Sequence, residues 1–275
     1  ISLDRFYFDI DPVSVINDLI DISEPHKDEK TIFVWPEGIL PDVSQEELAE
    51  YKWLFEKAFS KNHLLLIGIN NQKTSEGKIN YFNSLSIYDH NLKILSFYNK
   101  INLVPFGEFL PFENILQRFG LSTVTNNYQS FSKGKDRKTI EIKRDDFSLK
   151  ILPLICYEII YSGKIFKNPR FDLIVNISED GWFGNSIGPD QHFAKSIFRA
   201  IESNTFLLRS TNRGVSAIID NKGDVIKRIN RNEAGNIEFE VPLIKSNKIK
   251  NDLIFFILLI TYLLIFLIYK KQNAK

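Results

Sequence analysis

The sequence has a single cysteine, Cys156, and no methionine among its 275 residues. One cysteine excludes an internal disulfide framework and a cysteine-rich zinc site. The histidines lack the spacing of metal ligands; they are His26, His63, His90 and His192. We therefore expect no metal and no cofactor, and Cys156 is either inert core or a nucleophile. Because methionine is missing even at position 1, we also expect this chain to be a piece of a longer protein.

An excess of charge of either sign is also lacking. The 35 Lys and Arg residues nearly balance the 34 Asp and Glu residues, which leaves a net charge of +1. Binding to the phosphate backbone of a nucleic acid depends on a basic surface. We therefore do not expect nucleic acid as a partner.

One long apolar run lies near the end of the chain. Residues Leu253 to Tyr269 include no charged side chain. A helix over this run would be about 25 Å long, close to the hydrocarbon thickness of about 30 Å. A buried helix is the alternative, but the run is apolar on every face, which favours a transmembrane helix. Lysines stand on both sides of it, so charge alone does not set its orientation.

The rest of the chain alternates short apolar runs with helical patterns. Strands are predicted at Thr31–Trp35, Leu64–Ile69, Tyr81–Tyr88, Lys93–Tyr98, Ile151–Ile155, Leu173–Ile177, Phe206–Leu208, Ser216–Ile219 and Val225–Ile229. This alternation is typical of one α/β domain. We predict that the domain covers 1–245, followed by a tether at 246–252, a transmembrane helix at 253–269 and a basic tail at 270–275.

Three helices are predicted within the domain. The first begins at Asp11-Pro12, where proline suits the first turn. The second covers Glu46–Ser60, and the third covers Phe193–Ser203. Their expected inner faces are Leu48, Trp53, Leu54 and Ala58 for the second, and Ala194, Ile197, Phe198 and Ile201 for the third.

Reactive side chains directly follow three of the predicted strands. Glu37 comes after Trp35-Pro36, Lys100 after the strand that ends at Tyr98, and Cys156 after Ile155. In α/β proteins, ligands bind at the carboxyl ends of strands. A thiol needs a base to become a thiolate, and a lysine can stabilise an oxyanion. Glu37, Lys100 and Cys156 therefore predict acyl transfer through a thioester, with a backbone N–H after Cys156 as a second oxyanion donor.

The same segments resemble the nitrilase, or carbon–nitrogen hydrolase, superfamily, whose Glu-Lys-Cys triad matches Glu37, Lys100 and Cys156. Within it the chain is most similar to the catalytic C-terminal part of the apolipoprotein N-acyltransferase family. The matching segments are Tyr98–Pro111 (YNKINLVPFGEFLP), Ile155–Ile159 (ICYEI), Asp180–Phe193 (DGWFGNSIGPDQHF) and Leu208–Gly214 (LRSTNRG). Where the family has Asn-Asp-Ala before Trp-Phe-Gly, this chain has Glu-Asp-Gly at 179–181.

The resemblance implies a sandwich of two sheets flanked by helices. It implies transfer of a fatty acyl chain from a phospholipid, with phosphatidylethanolamine the expected donor. The acceptor would be the α-amino group of a lipoprotein's N-terminal diacylglyceryl-cysteine. It implies that Glu108 is an auxiliary glutamate, that Tyr157 and Glu158 shape the pocket and the oxyanion environment, and that Trp182 lies on a loop over the entrance. It also implies an inner-membrane location with the domain in the periplasm.

Two other functions stay open at this level. One is an amidase that acts on small C–N bonds and shares the triad; the other is an inactive remnant that binds lipid or nothing. An apolar stripe after the Lys100 segment bears on the choice. Phe112, Ile115, Leu116 and Phe119 recur at helical spacing within 106–121. Ordinary core is the alternative, but we interpret this stretch as a helical lid that dips into lipid.

Overall fold

The computed structural model describes residues 10–75, 77–111, 130–144, 147–163, 170–244 and 252–273. The predicted lid helix, with its apolar stripe at Phe112 to Phe119, lies outside these residues. So does almost all of the predicted tether at 246–252.

The first sheet carries two of the predicted reactive residues at its strand ends. Its five described strands are β1 (Thr31–Val34), β2 (Leu40–Ser44), β3 (His63–Ser75), β4 (Lys78–Asp89) and β5 (Ile94–Asn99). Both β1 and β2 run parallel to β3, whereas β4 and β5 continue the sheet antiparallel. Strands β4 and β5, predicted at Tyr81–Tyr88 and Lys93–Tyr98, pair as a hairpin. Strand β2 was not predicted, because its sequence LPDVS lacks a regular apolar pattern.

The second sheet carries the cysteine. Its six described strands are β6 (Ile140–Lys143), β7 (Ser148–Ile155), β8 (Leu173–Glu179), β9 (Phe206–Asn212), β10 (Ser216–Ile219) and β11 (Val225–Ile229). The central strands β7, β8 and β9 are parallel, and β8 is buried along its whole length. Parallel strands covered on both faces read as continuous apolar runs, which is why these strands were predictable.

The two sheets face each other across an apolar core. Leu64, Leu66 and Ile87 of the first sheet pack in one cluster with Val175 and Ile177 of the second. Helices α1 (Pro12–Ser23) and α2 (Lys52–Ala58) cover the outer face of the first sheet. Helix α3 (Gly188–Ser203) covers the outer face of the second. The predicted sandwich of two sheets flanked by helices is confirmed.

Two predicted helix faces were wrong in part. The region from Glu46 begins as a 3₁₀ turn, Glu47–Tyr51, before α2 starts. This tighter turn changes the angle between successive side chains, so Trp53 is 57% exposed and Phe55 is buried instead. In α3, Phe198 is 55% exposed, while the same helix buries His192 and Arg199. These polar side chains are buried because they find partners in neighbouring elements, which periodicity along one helix does not reveal.

The last described helix is the apolar one. Helix α4 (Asp252–Asn273) continues through Lys270 and Lys271, past the predicted end at Tyr269. Its side chains from Ile254 to Gln272 are exposed in the isolated chain. A helix of this length is about 33 Å long. Within the described ranges it is the one helix that is long and apolar enough to cross a membrane.

Gly68 fixes the distance between β3 and the segment that follows β1. A Cβ atom at Gly68 would lie 2.2 Å from the carbonyl oxygen of Pro36 and 2.6 Å from the Cα atom of Glu37. Both are backbone atoms, so neither can turn aside. A glycine is therefore required here for close backbone approach.

We predict that Gly68→Ala displaces Glu37 and lowers the free energy of unfolding by on the order of 1–3 kcal/mol. Thermal unfolding of the detergent-solubilised chain measures the loss. Gly235→Ala is the matched control, since its added Cβ would meet only Ile229 Cδ1 at 3.7 Å. Equal unfolding midpoints for the two variants would contradict the role assigned to Gly68.

Candidate active site

Glu37, Lys100 and Cys156 meet between the facing sheets. Glu37 follows β1, Lys100 follows β5 and Cys156 follows β7. The Nζ atom of Lys100 lies 3.0 Å from Oε1 of Glu37. The charges of Glu37 and Lys100 both act on the Cys156 thiol. The structure therefore brings the three predicted residues together, at the ends of strands from both facing sheets.

Lys100 is held by two carboxylates. Its ammonium group donates to Glu37 Oε1 at 3.0 Å and to Glu108 Oε1 at 2.9 Å, and its side chain is only 1% exposed. Burial lowers the pKa of Lys100, but the carboxylates of Glu108 and Glu37 outweigh burial and hold that pKa well above its ordinary value. The two carboxylates therefore favour the charged form of Lys100.

Asn83 completes this cluster, and the sequence did not single it out. Its Nδ2 atom donates to Glu37 Oε1 at 2.6 Å and to Glu108 Oε1 at 2.7 Å. The other oxygen of Glu37 accepts the backbone N–H of Glu179 at 2.8 Å, and that of Glu108 accepts the N–H of Val104 at 2.9 Å. These donors fix both carboxylates. The contact at Glu179 uses the backbone, so it does not depend on the Asn-to-Glu departure at that position.

Cys156 sits at a strained backbone position. Its φ angle is 47°, in the left-handed region, which few residues other than glycine adopt. It begins a 3₁₀ turn, Cys156–Ile160, directly after β7. The first N–H groups of such a turn have no partner within it, which fits the predicted oxyanion donor after Cys156; that role stays a prediction. Strain of this kind is concentrated at functional sites.

The surroundings of Cys156 favour its protonated thiol form. Burial raises its pKa, and the negative charge of Glu37 raises it further, while Lys100 opposes the increase. Two carboxylates and one ammonium already leave the cluster with one net negative charge. A thiolate formed by loss of the proton to solvent would add a second. Transfer of that proton to Glu37 instead keeps the charge constant, and this charge balance favours Glu37 as the predicted acceptor.

Glu158 binds the loop after Lys100. Its Oε1 atom accepts from the hydroxyl of Tyr98 at 2.8 Å, the N–H of Ile101 at 2.9 Å and Arg137 at 3.0 Å. Its Oε2 atom accepts the N–H of Ile155 at 2.9 Å. Glu158 thus joins the Lys100 loop to the Cys156 turn, and these contacts explain its complete burial.

Tyr157 and Trp182 lie nearer the surface. Tyr157 is partly buried, with its ring packed edge-on against Tyr161 at a centroid distance of 5.5 Å. Trp182 is 42% exposed on a 3₁₀ turn, Asp180–Phe183, that follows β8. An exposed tryptophan in this position fits the predicted loop at the entrance, and its role stays a prediction.

A second buried polar cluster contacts Cys156, and it was missed from the sequence. Asp180 accepts from Ser178 at 2.7 Å and from Arg209 at 2.7 Å. His192 lies with Nδ1 2.9 Å from Asp180 and Nε2 3.1 Å from the carbonyl oxygen of Cys156. Burial raises the pKa of Asp180, but Arg209 and His192 outweigh it and hold that pKa well below its usual range. The one signal in the sequence is that Asp180 and His192 both lie in the segment Asp180–Phe193, which matches the family.

The described residues offer no site for a metal ion. Within those ranges, no three His, Cys, Asp or Glu side chains are grouped so that they could hold one. The chemistry available here is that of a thiol, carboxylates and an ammonium group.

Comparison with known families agrees with this geometry. The family model for carbon-nitrogen hydrolases matches residues 22–250. The chain belongs to the carbon–nitrogen hydrolase family. Among solved structures, it is similar to a CN-hydrolase superfamily protein from Xanthomonas campestris, with a TM-score of 0.55 and 18% identity over 86% of this chain and 85% of that one. A mutant amidase of the nitrilase superfamily from Nesterenkonia has a TM-score of 0.52 and 13% identity over 82% and 83% of the two chains. These likenesses show the fold.

Curated relatives of this carbon–nitrogen hydrolase are more similar in sequence. Proteins named apolipoprotein N-acyltransferase from Rhodopseudomonas palustris and Caulobacter vibrioides are 34% and 32% identical to it. Each match covers 77% of this chain. The matched region makes up 40% of the Rhodopseudomonas protein and 41% of the Caulobacter protein. The chain therefore spans about two fifths of the length of these relatives.

Lys100→Met should strongly destabilise this carbon–nitrogen hydrolase, because it leaves two carboxylates buried without their cation. Removal of one partner from a buried ion pair costs about 3–5 kcal/mol. The double variant with Glu108→Gln should recover part of the lost free energy of unfolding. In that variant only the carboxylate of Glu37 is left without its cation. Urea unfolding measures both effects.

The control for this prediction is Lys52→Met, which removes the exposed ion pair of Lys52 with Glu56 at 3.1 Å. Exposed pairs contribute little, so this variant should unfold like the unchanged chain. If the double variant is less stable than Lys100→Met alone, the described charge balance is wrong.

Proposed function

We propose that this chain is the catalytic part of a lipoprotein N-acyltransferase. Its reaction would move a fatty acyl chain from a phospholipid to Cys156 and then to the α-amino group of a diacylglyceryl-cysteine. The observation that carries the proposal is the buried Glu37–Lys100–Glu108 cluster beside a strained cysteine, on a chain with one long, exposed apolar helix. The names of the curated relatives support the same activity.

The first half-reaction forms a thioester. The proton of the Cys156 thiol moves to the Glu37 carboxylate as the sulfur attacks the ester carbonyl carbon of the phospholipid. The carbonyl oxygen becomes an oxyanion, stabilised by the Lys100 ammonium and the N–H of Tyr157. When the C–O bond breaks, Glu37 returns the proton to the leaving oxygen. The products are a lysophospholipid and an acyl thioester on Cys156.

The second half-reaction forms an amide. The neutral α-amine of the acceptor attacks the thioester carbonyl, and the oxyanion is again stabilised by Lys100. The C–S bond breaks, the amine gives a proton to Glu37, and the sulfur leaves as a thiolate that recovers this proton. Glu37 thus serves as base and acid in turn, and the thiol is restored.

We also propose that α4 anchors this domain to the inner membrane, with the domain in the periplasm and phosphatidylethanolamine as the donor. Helix α4 is long enough to span the hydrocarbon core, and both substrates are lipids. Protease added to intact spheroplasts should digest the domain. Protection from protease would reject the periplasmic orientation.

Incubation of the nanodisc-reconstituted chain with phosphatidylethanolamine of defined chain length should add one acyl mass to the protein. Since the chain has one cysteine, intact mass spectrometry with hydroxylamine cleavage assigns the thioester to Cys156. Cys156→Ser should abolish the hydroxylamine-labile adduct. Glu37→Gln should slow its formation about 10²- to 10⁴-fold, because the proton acceptor is gone.

Glu56→Gln is the matched control, since Glu56 lies on the exposed face of α2, and it should acylate at the unchanged rate. An adduct that is transferred to a diacylated lipopeptide supports the acyltransferase. Turnover of small amides without lipid acylation would support the amidase alternative, and a folded chain with neither reaction would defeat both.

A further inference from the structure

Ser178 lies beside the nucleophile. Strands β7 and β8 are parallel, with Ile155 paired to Ile177, so the next residues along the two chains are Cys156 and Ser178. The Ser178 side chain is completely buried. Its hydroxyl donates to Asp180 Oδ1 at 2.7 Å, and it lies close enough to Cys156 to lower the pKa of the thiol. One hydroxyl hydrogen is therefore within reach of both the sulfur and a carboxylate.

Asp180 is held firmly without Ser178. Arg209 donates to its Oδ2 atom at 2.7 Å, and His192 Nδ1 lies 2.9 Å from its Oδ1 atom. Gly214 packs so closely that an added Cβ would lie 2.2 Å from Oδ2. If the Ser178 hydroxyl turned away, the carboxylate would keep the contacts to Arg209 and His192. Rotation of this hydroxyl therefore leaves the carboxylate paired with Arg209.

His192 connects the same cluster to the nucleophile's backbone. The Cys156 carbonyl oxygen can only accept a hydrogen bond, so Nε2 of His192 donates to it at 3.1 Å. Cys156, whose backbone is left-handed, thus has His192 at its carbonyl and Ser178 at the neighbouring register position on β8. Ser178 and His192 both also contact Asp180.

We propose that Ser178 is a further catalytic residue, whose hydroxyl turns from Asp180 to Cys156 and donates a hydrogen bond to the thiolate. Asp180 and His192 are positioning residues in this arrangement. The inference rests on the proposed use of Cys156 as the nucleophile, and it adds a thiolate donor that is distinct from Lys100.

The sequence of events conserves every proton. At rest the Ser178 hydroxyl donates to Asp180. When the thiol proton moves to Glu37, the hydroxyl turns to the sulfur, and no covalent O–H bond breaks. When the sulfur attacks the carbonyl carbon and its charge passes to the oxyanion, the hydroxyl returns to Asp180. Asp180 takes no proton, because the guanidinium of Arg209 that is bound to it keeps it a carboxylate.

The rate of alkylation of Cys156 by iodoacetamide tests this proposal without any lipid substrate. The single cysteine makes the reaction site unambiguous. Glu37, Lys100 and Asp180 are the charged groups that act on the thiol, and all three stay in place in Ser178→Ala. Loss of a hydrogen bond to the charged form should raise the pKa of Cys156 by about one unit. The rate constant should then fall about tenfold at each pH from 7 to 9, where the thiolate is the minor form.

Ser178→Thr keeps the hydroxyl and should alkylate within about twofold of the unchanged chain. Ser86→Ala is the control for loss of a buried serine, since Ser86 is completely buried and donates to Gln45 at 2.8 Å in the first sheet. It should leave the rate unchanged. Where Ser178→Ala does not fold, Ser178→Val replaces it as the partner of Ser178→Thr, because valine and threonine have the same shape.

Equal alkylation rates for the unchanged chain and Ser178→Ala, or for Ser178→Val and Ser178→Thr, would overturn the proposal. A tenfold decrease with Ala or Val, restored by Thr, supports it. This result holds whether or not the chain acylates lipids, so a failure of the proposed function is distinguished from a failure of this inference.

Discussion

The ion cluster around Lys100 is the interaction on which the site depends. An ammonium group with 1% exposure is tolerable only with opposite charges in direct contact, and Glu37 and Glu108 supply them at 3.0 and 2.9 Å. These residues come from the ends of β1 and β5 and from the loop after β5. The cluster therefore ties the edge of the first sheet together and places one negative charge beside Cys156.

That negative charge explains how a buried thiol can be both stable and reactive. Burial and Glu37 raise the pKa of Cys156, so the resting thiol does not react indiscriminately. In the proposed mechanism, proton transfer within the cluster forms the thiolate without a change in net charge. The strained backbone at Cys156, bound through its carbonyl by His192, keeps the sulfur in position for this transfer.

The polar contacts of the site show the limits of prediction from sequence. Asn83 lies in the middle of β4 and looks like any polar strand residue, yet it bridges both glutamates. Helix α3 shows a clear apolar stripe that includes Phe198, but it turns His192 and Arg199 inward. In each case the partner is distant in sequence, and hydrogen-bond energy depends on geometry that only the folded chain defines.

The sequence patterns by themselves determined the α/β class, the apolar C-terminal helix and the identities of Glu37, Lys100 and Cys156, whereas the sandwich was implied by the family resemblance. Buried strands and the residues that follow them leave local patterns, because burial selects apolar runs and the strand end sets the position of the next side chain. The tertiary structure alone decided how the site is held. The bridge by Asn83, the links made by Glu158 and the Ser178–Asp180–His192 cluster arise from strand register and from the approach of separate elements, which no local pattern encodes.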